Sequence, residues 1–458
     1  RRMREAVEKY KPGLPLFHNA GHIDHGRRDL AGYNTHIELE SLPTGGWGYD
    51  HFPLSARYVQ GLGLPFLGMT GKFHTTWGEF GGYKHPNALR YEAALSLANG
   101  AHCSIGDQLH PSGKMDEATY RLIGAAYAEI EQKEQWCKDV TNVADIGVLS
   151  IEALHGPSGD KSNRYDEGAV RMLLEGNYLF DVIDTQSDFT QYKVLILPDE
   201  ATVDETLLPL LEAYIEQGGK LLASGSSGFT PDKSKFALGF GVTYGGPCAY
   251  NPTYLRPGFT LKNFAPASFV LYSQAQEVTP SGAQVLAVRE NPYFNRDVFH
   301  FCSHQHAPTT MQEAGAAMTQ NETGIYIAYN IFEEYATKAS MILKELVFHA
   351  LDTLLGAYKT LETTLPAQGV TTIQQQTAQS RCVHHLLYAT PVKRGEDICV
   401  IEDIVPLYDV AVKVRLPQKI KKAYLAPQMD PLPITQQDGY VCYTVPKLDC
   451  HQMVVLEY

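Results

Sequence analysis

The sequence contains no C-x-x-C pair, and its eight cysteines (Cys103, Cys137, Cys248, Cys302, Cys382, Cys399, Cys442 and Cys450) lie far apart. That spacing excludes the dense disulfide framework of a small secreted domain and leaves reduced thiols in a cytoplasm-like compartment as the plain reading. No apolar run reaches the roughly 20 residues that a bilayer-spanning helix needs, so no membrane partner is expected. Basic runs are missing too. With a formal net charge of −13, the chain does not read as a binder of nucleic-acid backbones. No internal repeat or low-complexity tract interrupts it.

What is present describes a soluble globular protein. Hydrophobic residues make up 44% and charged residues 19% of the 458 positions, too apolar for disorder and long enough for two to four domains. A neutral ligand such as a sugar is compatible with the charge balance. The chain opens on "RRMREAVEKYKP", inside an amphipathic helix and without an initiator Met. It is therefore expected to be cut at its N-terminus, which leaves export open beside a cytoplasmic location.

Short apolar runs alternate with helical patterns over residues 1–140. "GLPLFHNAG", "YNTHIELES", "LPFLGMTG" and "AHCSIGD" read as four strands, with "FPLSARYVQGLG", "PNALRYEAALSLANG" and "MDEATYRLIGAAYAEIEQKEQW" among the helical segments. Pro86 suits a first helical turn, and Asn99-Gly100 closes a helix. Polar, aromatic and glycine-rich residues gather just after the strand ends, as on the active face of a (β/α)8 barrel. Residues 1–140 are therefore expected to form the C-terminal half of a TIM barrel. Residues 141–358 read as a three-layer, flavodoxin-like α/β domain through "DIGVLS", "YDEGAVRMLLEGN", "YLFDVID", "YKVLILPDE", "VDETLLPLLEAYIEQGG" and "KLLASGS". Residues 359–458 carry period-two runs ("SRCVHHLLYATP", "EDICVIEDIV", "YDVAVKVRLP", "KKAYLAP", "GYVCYTVP", "HQMVVLEY") that predict a small antiparallel β-sandwich.

Three stretches carry candidate chemistry. Glu38 and Glu40 in "IELES" share one face of a strand. Two carboxylates there cost free energy unless they are used or paired, so they read as binding or catalytic groups or as partners of a buried cation. The Trp47, Tyr49, Asp50 and His51 that follow suit the face of a sugar. In "GMTGKFHTTWGEFGGYKHP", Lys72, His74, Trp77 and Glu79 sit on a loop after a strand, where barrel enzymes recruit function. Glu79 is the favoured proton donor or acceptor, with Lys72 or His74 as its hydrogen-bond partner; the alternative is a surface loop with a packed Trp. In "SIGDQLHPSG", Asp107, Gln108 and His110 follow a strand end, and a helix-capping Asp is the plainer reading.

Two further readings are weaker. "HNAGHIDH" places His18, His22, Asp24 and His25 together, but the spacing matches no zinc motif and a polar loop is expected, with no metal or cofactor. The middle domain offers "LLASGSSGF", with Ser224 and Ser226 but neither a Cys nor a G-x-S-x-G elbow, so a scaffold is expected there rather than an amidotransferase site.

Taken together, the segments resemble a known family. The order of half-barrel, Cys-less class I glutamine amidotransferase-like domain and small β-sandwich is similar to family 42 β-galactosidases, whose middle domain mediates trimerisation. "ELESLPTGGWGYDHFPL", "GMTGKFHTTWGEFGGYK", "GDQLHPSGKMDEATYRLIG", "EDIVPLYDV" and "HQMVVLEY" more closely resemble the α-L-fucosidases of glycoside hydrolase family 151, over essentially the whole chain. The resemblance implies a retaining α-L-fucosidase acting on terminal fucosides, without cofactor, as a homo-oligomer in which a trimer fits. Where the β-galactosidases carry a nucleophilic Glu at a strand tip, this chain has Thr70. In fucosidase-like barrels the nucleophile is expected on the fourth strand, which this chain lacks. Retention needs two carboxyl groups about 5 Å apart, so Glu79 or Glu40 is expected as acid/base, with Glu38, Trp47, His51, Lys72, His74, Trp77, Asp107 and His110 binding the sugar. A fragment of this kind is expected to be inactive alone. The rivals are a β-galactosidase-like hydrolase and a non-catalytic carbohydrate-binding or oligomerisation scaffold.

Overall fold

A computed structural model describes residues 2–157 and 163–458. The chain divides into two compact units, one of residues 1–144, 173–182 and 359–458, the other of residues 145–172 and 183–358. It is a mixed α/β protein with several sheets.

In the first unit, β1 (Ile37–Glu40), β2 (Phe66–Gly71) and β3 (His102–Gly106) form a parallel sheet in that order. Helices α1 (His51–Val59), α2 (Pro86–Ala98) and α3 (Glu117–Glu131) follow the three strands. The two faces are unlike. Ile37, Leu39, Phe66, Gly68 and Thr70 are buried, whereas Glu38, Glu40, Leu67 and Met69 are partly exposed. Register pairs Glu38 with Leu67 and Glu40 with Met69, so the two carboxylates share the face opposite the helices. A Cβ on Gly68 would lie 2.6 Å from both Phe52 and Ser96, so glycine is what lets α1 and α2 close on the sheet. Pro86 starts α2, and His85 Nδ1 accepts from Asn87 N at 3.2 Å.

The stretch Gly13–Gly21 is not a strand, so the sheet has three strands where the sequence suggests four. Side chains take the donors a ladder would need: Leu16 N donates to Thr35 Oγ1 at 2.7 Å and His18 N to Asn34 Oδ1 at 2.7 Å.

Two antiparallel sheets complete this unit. One runs Asp430–Leu432, Lys422–Ala426, His451–Glu457, Arg381–Tyr388, Gly369–Gln376, Thr141–Val143; the other runs Leu361–Thr363, Leu407–Val414, Tyr440–Leu448, Thr435–Gln437. Ile373, Leu386, Val454 and Leu456 of the first pack with Val410, Val412 and Val445 of the second. The expected strand "EDICVIEDIV" is mostly irregular. Only Cys399–Val400 pairs, with Val392–Lys393, and Glu402 O accepts from Asn87 Nδ2 at 2.7 Å instead of joining a ladder.

In the second unit the parallel strands Ile146–Leu149, Val194–Leu197, Lys220–Ser224 and Gly324–Ile327 continue into antiparallel Thr309–Gln320, Gln284–Pro292, Thr253–Pro257 and Phe269–Leu271. The sequence reading reaches the parallel strands up to Lys220–Ser224 but not this antiparallel extension. Among the described residues no helix is long and apolar enough to cross a membrane.

Candidate active site

Two loops leave the ends of β1 and β2 and meet. The first begins at Ser41, which follows Glu40 directly, and His51 Nδ1 lies 3.1 Å from Ser41 Oγ. The His51 ring stands edge-on to Trp47, centroids 5.1 Å apart. Trp47 in turn lies nearly parallel to Trp77 of the second loop, at 6.3 Å and 12°. Phe73 backs Trp77 edge-on at 5.5 Å. The loops touch through their backbones, since a Cβ on Gly45 would sit 2.9 Å from Thr75 O.

The second loop is closed at its neck, where Lys84 N donates to Lys72 O at 2.8 Å. Glu79 holds its interior. Its Oε1 accepts from His74 N at 2.6 Å and Thr75 N at 2.8 Å, and its Oε2 from the Thr75 hydroxyl at 3.1 Å. Burial works to raise the Glu79 pKa, but these three donors outweigh it and the carboxyl titrates below its ordinary range. Lys72 is buried, with Nζ 3.4 Å from Glu79 O and 4.7 Å from the centre of the Tyr83 ring.

Glu38 behaves in the opposite way. Burial raises its pKa, His36 opposes the rise, and the charge of Glu40 adds to it. At the end of β3, Asp107 Oδ1 accepts from Gln108 N at 2.7 Å. His110 is exposed, its Nδ1 2.8 Å from Ser112 Oγ. Ser41, His51, Trp47 and Trp77 therefore form one contact chain; His74, Lys72 and Glu79 brace the second loop, and His110 stands off on the surface.

Sequence reasoning passed over the polar group beneath the loops. Lys84 is ion-paired with Glu92 of α2, and both accompany Thr70 and Tyr49. No spacing motif joins these four residues. The segment just before Cys399 was also missed as a neighbour: a Cβ on Gly46 would sit 3.6 Å from Asp397 Cβ.

In "HNAGHIDH", His18 Nδ1 lies 3.0 Å from Asn34 Oδ1 and His22 Nε2 lies 3.1 Å from Asp24 Oδ1. These residues line a cavity of about 420 Å³. Among the described residues no cluster of three or more His, Cys, Asp or Glu is arranged to hold a metal ion. In the second unit, Ser224 Oγ donates to Asp199 Oδ1 at 2.7 Å, a structural use of the strand-end serine.

Strand-end carboxylates beside an aromatic pair suit a carbohydrate enzyme, and comparison with known proteins defines the class as glycoside hydrolase. Residues 170–242 match the family model described as the beta-galactosidase trimerisation domain. The α-L-fucosidase isoenzyme 2 from Paenibacillus thiaminolyticus is 57% identical with a TM-score of 0.97, covering 100% of this chain and 70% of that one. The chain belongs to the family of that α-L-fucosidase. The β-galactosidase from Bacillus circulans sp. alkalophilus shares the fold at 14% identity and TM-score 0.67, over 99% of this chain and 65% of its own. The cold-adapted β-galactosidase from Rahnella sp. R3 does so at 15% and 0.60, over 93% and 61%. The chain thus spans less than two thirds of either β-galactosidase. A comparison with curated proteins returned no match.

Proposed function

We propose that the protein hydrolyses terminal α-L-fucosides with retention, and that Glu40 is its acid/base. The observation that carries this reading is the Trp47–Trp77 pair, linked through His51 to Ser41, the residue that follows Glu40 in the chain. L-Fucose has an apolar methyl edge and a hydroxylated edge. The indoles suit the first, and Glu38, His51 and Asp107 suit the second. Glu40 gives its proton to the glycosidic oxygen as a second carboxylate bonds to C1 and the C1–O bond breaks; in the second step it takes a proton from the water that displaces that carboxylate from C1. Glu79 suits this role less, because hydrogen bonds from its own loop hold its carboxyl below the ordinary range, whereas an acid/base works best with a raised pKa.

The three βα units in order support residues 1–140 as the second half of a (β/α)8 barrel, with residues 141–358 as a trimerisation-type domain and 359–458 as a sandwich. A homo-oligomer belongs to the same proposal, checked by light scattering. So does a cytoplasmic location, which suits eight free thiols and is checked by cell fractionation.

The test uses the protein expressed from its whole coding sequence and assayed on p-nitrophenyl α-L-fucoside and p-nitrophenyl β-D-galactoside, with the product anomer read by NMR. Turnover of the fucoside alone, with retention, is expected. Turnover of the galactoside alone replaces the substrate assignment, and turnover of neither leaves a carbohydrate-binding scaffold.

A further inference from the structure

On the helix side of the parallel sheet, opposite Glu38 and Glu40, four polar side chains meet, Thr70, Lys84 and Glu92 buried and Tyr49 partly so. Lys84 Nζ donates to Thr70 Oγ1 at 2.9 Å and is ion-paired with Glu92 Oε2, which also accepts from the Thr70 hydroxyl. Tyr49 OH donates to Glu92 Oε1 at 3.1 Å. The Lys84 and Glu92 side chains are 0% and 3% exposed. A buried ion pair is a weak source of stability, because desolvating the two charges offsets their attraction. What such a node does supply is geometry, since every member must be in place for the rest to be satisfied.

Its members come from four different elements. Thr70 is at the tip of β2 and Glu92 is on α2. Lys84 ends the loop that carries Trp77, and Tyr49 lies two residues beyond Trp47. One carboxylate thus ties both aromatic loops to one strand tip. The Gly45–Thr75 approach sets the two loops directly against each other. We propose that the Thr70–Lys84–Glu92–Tyr49 node is a positioning device that sets the spacing and tilt of the Trp47 and Trp77 indoles, and through them the grip on the sugar. The spacing and tilt rest on the structure alone; the grip rests on the fucosidase reading.

The experiment uses the protein from its whole coding sequence and the variants Tyr49→Phe, Thr70→Val and Thr70→Ser. Its readouts are the circular-dichroism couplet of the paired indoles, thermal midpoint, L-fucose binding by tryptophan fluorescence, and kcat and KM on the aryl fucoside. Tyr49→Phe and Thr70→Val are expected to weaken the couplet and to raise both KM and the fucose Kd about tenfold, with kcat nearly unchanged. Thr70→Ser, which keeps the hydroxyl, restores both. A lowered midpoint with couplet and KM untouched would overturn the proposal, as would a changed KM under an unchanged couplet. Should Thr70→Val not fold, Tyr49→Phe decides the matter by the same readouts. A wild-type protein that neither binds nor cleaves fucoside refutes the fucosidase reading, and the couplet still decides whether the node sets the indole geometry.

Discussion

His385 and His451 lie stacked in the six-stranded sheet, ring centroids 5.3 Å apart and planes 9° from parallel, with Nδ1 of the first 3.1 Å from Nε2 of the second. Lys133 Nζ stands 3.3 Å from the remaining nitrogen of His451. Neither ring can be protonated there without placing charge against charge in a dry site.

Acid should therefore destabilise the first unit. Burial, helped by the charges of His384 and Lys133, lowers the His385 pKa to about 3; burial alone lowers His384 to about 3, and His451 is also well below its ordinary value. The unfolded chain takes up these protons near pH 6.5 and the folded chain does not. Stability is thus fully present above about pH 6.5 and is lost as pH falls toward 3, by up to roughly 1.4 kcal/mol per pH unit for each ring. Denaturant titrations between pH 7 and 4.5 check this, and His384→Gln should flatten the slope.

The second unit should respond with the opposite sign. Burial raises Asp199 to about 7, against donors from Glu333 N, Ser224 and Phe332 N, and raises Asp166 to about 6. The folded unit keeps protons that the unfolded chain has released, so this contribution is fully present below about pH 4 and is lost as pH rises from there through 6 to 7. Asp199→Asn should abolish the pH dependence above 6 at a cost of about 1 kcal/mol or less, whereas Asp199→Ala, which strands two backbone donors, should cost about 2–3 kcal/mol. Unfolding followed by near-UV dichroism at pH 6 and 8 separates the two.

Arg57 is a third test of buried charge. Its guanidinium lies 4.0 Å from the Phe180 ring centre and donates to Phe180 O at 2.9 Å. Burial lowers its pKa to about 10, opposed by Asp181. Arg57→Ala should destabilise the first unit by about 3 kcal/mol, because it opens a cavity and strands a carbonyl. Arg57→Met, which fills the space, should recover part of that loss in a denaturant melt.

Much of this architecture was legible in local pattern. The period-two alternation of "IELE" placed Glu38 and Glu40 on one face, and the glycine-rich stretches around Trp47 and Trp77 marked the loops that meet. Patterns failed where side chains replaced backbone partners. Asn34 and Thr35 occupy the donors of the apolar run Gly13–Gly21, and "EDICVIEDIV" alternates like a strand but lies across loops instead of in a ladder. The Lys84–Glu92 pair was invisible because its members meet across a loop neck and a helix, and nothing in the sequence announces a lysine with no exposure.

The strand carboxylate Glu40 and the loop carboxylate Glu79 can be told apart by substitution. Glu40 shares a strand face with Glu38 and pairs in register with Met69. Glu79 accepts three hydrogen bonds from its own loop and titrates low. If Glu40 is the acid/base, Glu40→Gln should lower kcat on the aryl fucoside by about 10²–10⁴ with little change in thermal midpoint. Glu79→Gln keeps one acceptor oxygen but presents an amide where Thr75 or His74 now donates. It should loosen the Trp77 loop, raising KM about tenfold while sparing kcat. The reverse result, kcat lost in Glu79→Gln and kept in Glu40→Gln, moves the acid/base to the second loop.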